Sequence, residues 1–176
     1  MDTTNTGKKG KVAYVLKNFP KLSETFIASE IYRLEQLGVD LKLLVIKPRS
    51  ETTRHAVVGR IKSRAHHLPA TASLTETSFA RWLKAHLPDF WPSVLNVCKK
   101  NPKGFLQAAK FCVLQSVRAR RSFFSLPRKI YVKEFLQAAA AAEQIHPDKA
   151  INHIHAHFAH GATTVAWMAA MMTNLR

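Results

Sequence analysis

Two short segments of the chain carry side chains that could bind a ligand or take part in chemistry. The first is Ser23-Glu24-Thr25, a carboxylate between two hydroxyls. The second is rich in imidazoles and ends in a glycine; its members are His153, His155, His157, His160 and Gly161. Because imidazole binds zinc, copper and nickel, the second segment raises the question of a metal site.

The first segment lies in a predicted strand–helix–strand unit. Apolar runs at 12–16 and 41–46 predict two buried strands. Between them, Ser23 is suited to cap a helix and Gly38 to end it. Ser23-Glu24-Thr25 therefore follows the carboxyl end of the first strand, the edge at which open parallel sheets bind ligands. On spacing alone, however, a helix cap is the stronger interpretation of this segment.

The second segment combines a predicted strand with the start of the last helix. Polar and apolar residues alternate at 151–157, which places His153, His155 and His157 on one side of a strand, and Gly161 opens the helix. Asp148 is the one acidic residue nearby in the sequence, and the spacing is not that of a common zinc site. We therefore predict no metal site here. His153 and His155 are equally well explained as side chains at the flank of the sheet.

The positive charge of the chain is concentrated in its middle. The formal net charge is +16 over 176 residues, and no acidic residue lies between Asp89 and Glu134. Residues 79–144 have a helical pattern, which we expect to be broken into short pieces by three prolines: Pro88, Pro92 and Pro102. This concentration of cations predicts binding to an anionic partner such as phospholipid headgroups, sugar phosphates or nucleic acid.

One predicted helix in this basic region, at 103–121, is amphipathic. Its apolar face is predicted to hold Phe105, Leu106, Ala109, Cys112, Val113 and Val117. The cations expected to meet a membrane are Lys103, Lys110, Arg118, Arg120, Arg121, Arg128 and Lys129. An apolar face beside a cationic one is typical of a helix that lies on an anionic membrane. The alternatives are a helix packed on the sheet with only charge outside, and a nucleic-acid site, for which no known module is recognisable.

The order of the predicted elements indicates an α/β fold with a parallel sheet, since strands alternate with helices. Residues 1–10 are predicted to be a disordered leader and 11–176 a single domain. We also expect a short strand at 65–69 and a helix that begins at Ser125 and Pro127.

The chain lacks the sequence features of a transmembrane or exported protein. No apolar run approaches the length of a membrane-spanning helix, and the polar N-terminus is unlike a signal peptide. Cys98 and Cys112 are isolated, in neither metal nor redox spacing. These features predict a reducing, cytoplasmic location.

The two segments together resemble family-4 retaining glycosyltransferases, above all the branch that builds bacterial exopolysaccharides such as colanic acid. The opening motif of that branch is similar to Phe19-Pro20-Lys21-Leu22-Ser23-Glu24-Thr25-Phe26-Ile27, followed by Glu30-Ile31, Leu34 and Gly38. Its second motif is similar to Ile154-His155-Ala156-His157-Phe158-Ala159-His160-Gly161, which stands at the expected distance. Between the motifs, only the basic and helical character matches.

The resemblance implies a GT-B fold, two Rossmann-like domains with the active site between them. This chain would be an incomplete N-terminal, acceptor-side domain, inactive by itself. Ser23 and Thr25 would contact sugar or phosphate and Glu24 an acceptor hydroxyl, while His157, His160 and Gly161 would line the same cleft. The nucleotide-sugar would bind a C-terminal domain through a basic residue and a Glu-x7-Glu pattern, which this sequence lacks. No catalytic residue and no cofactor is therefore assigned to this chain.

The implied reaction is transfer of a hexose to a lipid-linked or polysaccharide acceptor in the synthesis of cell-surface glycans. It would take place at the inner face of the plasma membrane, with the protein attached peripherally. The alternative is a non-catalytic basic module that binds anionic membrane or nucleic acid. Tighter binding to nucleic acid than to anionic vesicles would favour that alternative.

Overall fold

In the computed structural model, four parallel strands form one sheet in the order β3-β2-β1-β4. The structure describes residues 10–47, 55–120, 125–157 and 161–175, so nearly all of the predicted leader lies outside the described residues. The strands are β1 (Lys11–Leu16), β2 (Asp40–Val45), β3 (Ala65–His67) and β4 (Ile151–Ala156). The predicted α/β fold with a parallel, Rossmann-like sheet is confirmed.

Helices cover both faces of this sheet. Helix α1 (Thr25–Gln36) packs on one face, and the opposite face carries α2 (Phe79–Lys100), α3 (Pro102–Arg118), α4 (Ile130–Ile145) and α5 (Gly161–Thr173). Because side chains alternate along a strand, β1 contributes to two separate cores. Tyr14 and Leu16 pack towards α1, whereas Ala13 and Val15 pack towards the four-helix layer. Each face of the central strand is thus buried, as its uniformly apolar sequence requires.

The predicted strand–helix–strand unit is confirmed, but the predicted role of Ser23 is wrong. Ser23 lies inside a short 3-10 turn, Leu22–Glu24, and α1 begins at Thr25 with no side-chain hydrogen bond to its first turn. Since the backbone is already helical at Leu22, Ser23 no longer stands in the extended geometry that a cap requires. The other end follows the prediction: Gly38 has a φ of 76° and its N–H donates to Glu35 O.

The predicted division of the basic region by prolines is confirmed only at Pro102, the first residue of α3. Helix α2 runs without interruption through Pro88 and Pro92. Both prolines lie on its exposed side, where water can satisfy the carbonyls that lose a partner. On the other side, Trp82 and Phe90 are buried and hold the helix against the core.

Helix α3 is amphipathic as predicted, but the predicted apolar face is largely wrong. The buried stripe consists of small residues: Gly104, Ala108, Cys112 and Ser116. Of the residues assigned to the apolar face, Leu106, Val113 and Val117 are exposed. Small side chains are buried here because they allow α3 to pack closely against α5. Helix α4 begins at Ile130, after the predicted start at Ser125 and Pro127.

Within the described residues, no helix combines the length and apolarity that crossing a bilayer requires.

The α3–α5 contact predicts that Gly104→Ala is strongly destabilising. A Cβ at Gly104 would lie 2.1 Å from Met171 O, a backbone atom that cannot move without shifting α5. Although alanine favours helices, we expect a loss of about 3 kcal/mol, the upper range for overpacking. Gly59→Ala is the matched control. No atom of the described residues lies within 4 Å of its Cβ position, so stability should stay equal or rise slightly. Chemical denaturation gives the free energy of unfolding of each variant. Equal values for the two variants would contradict the close packing of Gly104 against α5.

Candidate functional site

At the carboxyl edge of the sheet, the order in which strands are added reverses between β1 and β4. From β1 the chain continues to β2 and β3 on one side, and then returns to form β4 on the other side of β1. In open α/β sheets the two flanking connections separate at such a point and leave a crevice, where ligands bind. Lys17 follows β1 directly, and His157 follows β4 directly. The segment Ser23-Glu24-Thr25 and the histidine-rich segment therefore both lie next to this crevice.

A small depression at the crevice is lined by residues from both segments. Lys17, Asn18 and Glu24 form one side and His157 the other. Glu24 also pairs with Lys21, with 2.5 Å between Oε1 and Nζ. The predicted convergence of Glu24 and His157 is thus present in the structure. Neither Ser23, which is exposed, nor the half-buried Thr25 lines the depression, and His160 lies outside the described residues.

Beside this depression, two histidines and a glutamate form a cluster on the α1 face of the sheet. Glu30 of α1 approaches His157, with 3.2 Å between Oε2 and Nε2, and His155, with 4.0 Å between Oε1 and Nε2. Tyr14 Oη donates to Glu30 Oε1 at 2.5 Å. Asp148 was the one acidic residue expected near the histidines, and this expectation is wrong, because α1 brings Glu30 to them. We refer to Tyr14, Glu30, His155 and His157 as the histidine cluster.

Burial favours the uncharged forms of two members of this cluster, Tyr14 and His155. The pKa of Tyr14 is raised by burial and by its hydrogen bond to the Glu30 carboxylate. The pKa of His155 is lowered, mainly by burial and also by the neighbouring His157, which outweigh the attraction of Glu30. At neutral pH, His155 is consequently an uncharged imidazole that can act as a hydrogen-bond partner or as a metal ligand.

A larger recess, about 450 Å³ in volume, lies on the other face of the sheet at the same edge. Lys17 and Lys47 follow β1 and β2, and Lys133 and Glu134 project from α4. Gly161, the first residue of α5, also lines it. The remaining wall comes from the segment between β3 and α2: Thr71, Ser73, Leu74 and Thr75. We call this the lysine recess.

Glu134 is the acidic residue that lines the lysine recess. Its side chain is 7% exposed, and burial raises its pKa to about 7, against the opposing effects of a hydrogen bond with Thr164 and the charge of Lys133. A Cβ on Gly161 would lie 3.0 Å from Glu134 Oε1, so the glycine makes room for this carboxyl group. The space at Gly161 is thus taken by a side chain of the protein, and contact between Gly161 and a substrate stays a prediction.

Lys133 is also largely buried. Its ammonium donates to Ala72 O at 3.2 Å and lies 6.0 Å from the centre of the Trp82 ring. Burial and the charge of Lys47 lower the pKa of Lys133. A recess with three lysines and a helix N-terminus is suited to an anionic ligand, and a carboxyl group with a pKa near 7 can exchange a proton with a bound hydroxyl.

Several residues of the two sites escaped sequence analysis. Lys17 and Lys47 could have been found, since each directly follows a predicted strand. Glu134 stands alone after a long interval without acidic residues and ahead of an apolar run, which is a weak signal of a buried acid. Glu30 and Tyr14 carried no such signal, because their role depends on how α1 and β1 face β4.

Most cations predicted to meet a membrane are exposed. They are Lys103, Lys110, Arg118, Arg128 and Lys129, whereas Arg120 is half-buried and Arg121 lies outside the described residues. The exposed apolar residues of α3 lie among them, including Val113 at 62% and Leu114 at 53% exposure. The outward side of α3 therefore carries both cations and large apolar side chains.

A scan of the chain against protein-family models gives no match, and neither do searches of curated proteins and of solved structures.

Proposed function

We propose that this chain is the acceptor-side part of a retaining glycosyltransferase. Such an enzyme moves a hexose from a nucleotide-sugar to a lipid-linked or polysaccharide acceptor. The observation that carries the proposal is the meeting of Glu24 and His157 at the point where the strand order reverses. The two resembling motifs are distant in sequence, and this crevice is where α/β proteins bind ligands.

The lysine recess suits the diphosphate of a lipid-linked acceptor. Lys17, Lys47 and Lys133 supply positive charge, and the N-terminus of α5 supplies backbone N–H groups. In the transfer, the acceptor oxygen bonds to the anomeric carbon as the bond from that carbon to the nucleotide phosphate breaks. The nucleotide leaves with the bonding electron pair, and its phosphate oxygen takes the proton of the acceptor hydroxyl. Glu134 is placed to hold an acceptor hydroxyl, and the nucleotide-sugar is held by a further domain.

The outward side of α3 is proposed to lie on the anionic inner leaflet of the membrane. Its cations attract the lipid headgroups, and the exposed Leu106, Val113 and Leu114 can insert between them. Since a lipid-linked acceptor resides in the same leaflet, such contact would bring the recess to its substrate. Binding to nucleic acid has no comparable support, because the sequence contains no recognisable nucleic-acid-binding module.

Acceptor binding by the purified chain tests the proposal. We expect a short-chain polyprenyl diphosphate sugar to bind, and Lys17→Ala or Lys47→Ala to weaken it about 10-fold, the value of one charge-assisted hydrogen bond. Lys84→Ala, an exposed lysine on α2 that lies outside the recess, is the control and should bind normally. Titration calorimetry with the sugar-bearing ligand and with its phosphate-free analogue gives the affinities.

A second variant tests whether Glu24 contacts the sugar of the acceptor. Glu24→Gln should weaken the sugar-bearing ligand about 10-fold and leave binding of the sugar-free polyprenyl diphosphate unchanged, since Glu24 is proposed to contact a hydroxyl. Equal affinity for the diphosphate ligand and its phosphate-free analogue would overturn the proposal. So would tighter binding to single-stranded or duplex nucleic acid, which is the result expected of a non-catalytic basic module.

A further inference from the structure

The histidine cluster has the composition and arrangement of a transition-metal site. His155 and His157 are two positions apart on and just after β4, so their rings lie on the same face of the sheet, with centroids 4.8 Å apart. Glu30 reaches them from α1. One ligand atom from each of these three side chains lies within 4.8 Å of the others.

The spacing is close to what a tetrahedral metal ion needs. Zinc bonds of about 2.0–2.1 Å at tetrahedral angles place neighbouring ligand atoms about 3.4 Å apart. Glu30 Oε2 and His157 Nε2 are already 3.2 Å apart, and a ligand atom of His155 lies within 4.8 Å of the ligand atoms of the other two side chains.

The carboxylate is held in position for this role. Tyr14 is 3% exposed and donates to Glu30 Oε1 at 2.5 Å, which leaves Oε2 directed at His157. A hydrogen bond to the second oxygen is how proteins commonly orient a carboxylate that binds a metal. The ring of Tyr14 also packs against His155, with 4.6 Å between centroids, and limits its movement.

An unsatisfied nitrogen is the second, independent observation. His155 Nε2 is buried, with almost no accessible surface, and makes no hydrogen bond within the described part of the chain. A buried polar atom of this kind is costly unless a ligand completes its bonding. A metal ion between His155, His157 and Glu30 would provide that bond.

We propose that Glu30, His155 and His157 bind a divalent zinc ion, with Tyr14 positioning the carboxylate. Two imidazoles and one carboxylate favour zinc over the hard cations Mg²⁺ and Ca²⁺, which prefer oxygen ligands throughout. Three protein ligands leave a fourth position for water or another ligand. This inference goes beyond the proposed sugar transfer. It shares His157 with the depression that Glu24 lines, but zinc binding is measured without any sugar ligand, so either proposal can fail alone.

Zinc binding to the untagged, chelator-treated full chain tests the inference. Titration calorimetry with Zn²⁺ should show one ion per chain with micromolar affinity or tighter, and thermal unfolding should shift upwards with added Zn²⁺. Substitution by Co²⁺ should give the visible absorption of a tetrahedral site. Preference for Mg²⁺ or Ca²⁺, or no binding at all, would overturn the inference.

Three variants locate the site. His155→Ala and Glu30→Gln should each weaken Zn²⁺ at least about 10-fold and remove the thermal shift. Glu30→Gln keeps an oxygen that can accept from Tyr14, so it serves as the test if His155→Ala fails to fold. His153→Ala is the matched control, because this exposed histidine shares the strand and the face but lies outside the cluster. Equal affinities in all three variants would show that zinc binds elsewhere.

Discussion

Glu134→Gln is expected to raise the melting temperature of the chain by about 5–10 °C at pH 8 and to leave it unchanged near pH 4. The side chain is 7% exposed, and its pKa is raised from 4.5 to about 7, with burial as the largest cause. Burial outweighs the nearby Lys133, so the ionised carboxylate is unfavourable in the folded state. Glutamine has the same shape, carries no charge and can retain the contact with Thr164.

The direction of the pH dependence follows from proton uptake. Between pH 4.5 and about 7, the folded chain holds a proton on Glu134 that the unfolded chain has released. Wild-type stability therefore falls as pH rises through this range and levels off above it, by up to about 3 kcal/mol for this group. The variant has no such proton, so its advantage should appear only above pH 4.5 and be complete near pH 8.

Thermal unfolding of both proteins from pH 4 to pH 8 measures this effect. Glu76→Gln is the control, since Glu76 is an exposed acid outside the lysine recess, and its melting temperature should follow the wild type at each pH. A Glu134→Gln variant less stable than wild type at pH 8 would contradict the argument. It would mean that the Lys133 ammonium stabilises the carboxylate more than burial destabilises it.

Removal of three cations from α3 is expected to weaken binding to anionic vesicles about 100-fold. Each lysine or arginine near an anionic surface contributes about 1 kcal/mol, so Lys103→Gln, Lys110→Gln and Arg118→Gln together remove about 3 kcal/mol. All three side chains are exposed, so their substitution should leave the fold intact. Sedimentation with phosphatidylglycerol and phosphatidylcholine vesicles measures the binding, which should also weaken with added salt.

A second triple variant separates local contact from net charge. Arg33→Gln, Arg60→Gln and Lys62→Gln remove the same charge from exposed positions on the opposite, α1 side of the sheet. We expect this control to bind anionic vesicles within about 3-fold of wild type, because only long-range attraction is lost. An equal loss in both triple variants would mean that net charge alone drives binding and that α3 does not lie on the membrane.

The elements that depend on local pattern were predictable from sequence. The apolar runs of β1 and β2, the alternation of β4 and the glycine after α1 each specify structure through neighbouring residues. A buried strand needs only apolar side chains in extended geometry, and a positive φ at Gly38 needs only the absence of a Cβ. The order of these elements along the chain then points to a parallel α/β sheet.

The faces of the helices were decided by tertiary packing. Helix α2 continues through Pro88 and Pro92 because both prolines meet water while the other side of the helix is anchored in the core. Helix α3 buries Gly104 and Ala108 and leaves Leu106 exposed, since α5 comes too close to admit a larger side chain. Sequence pattern shows that a helix has two unlike faces, but the neighbouring helix selects the buried one.

In the two sites as well, some residues could be identified from the sequence and others only from the tertiary structure. The sequence by itself identified Glu24 and His157 as candidates and placed them at the ends of strands. Only the tertiary structure brings Glu30 to His155 and turns Glu134 into a buried acid beside Lys133. The physical reason is that contact and desolvation arise between elements far apart in the chain, where local residue patterns carry no information about distance.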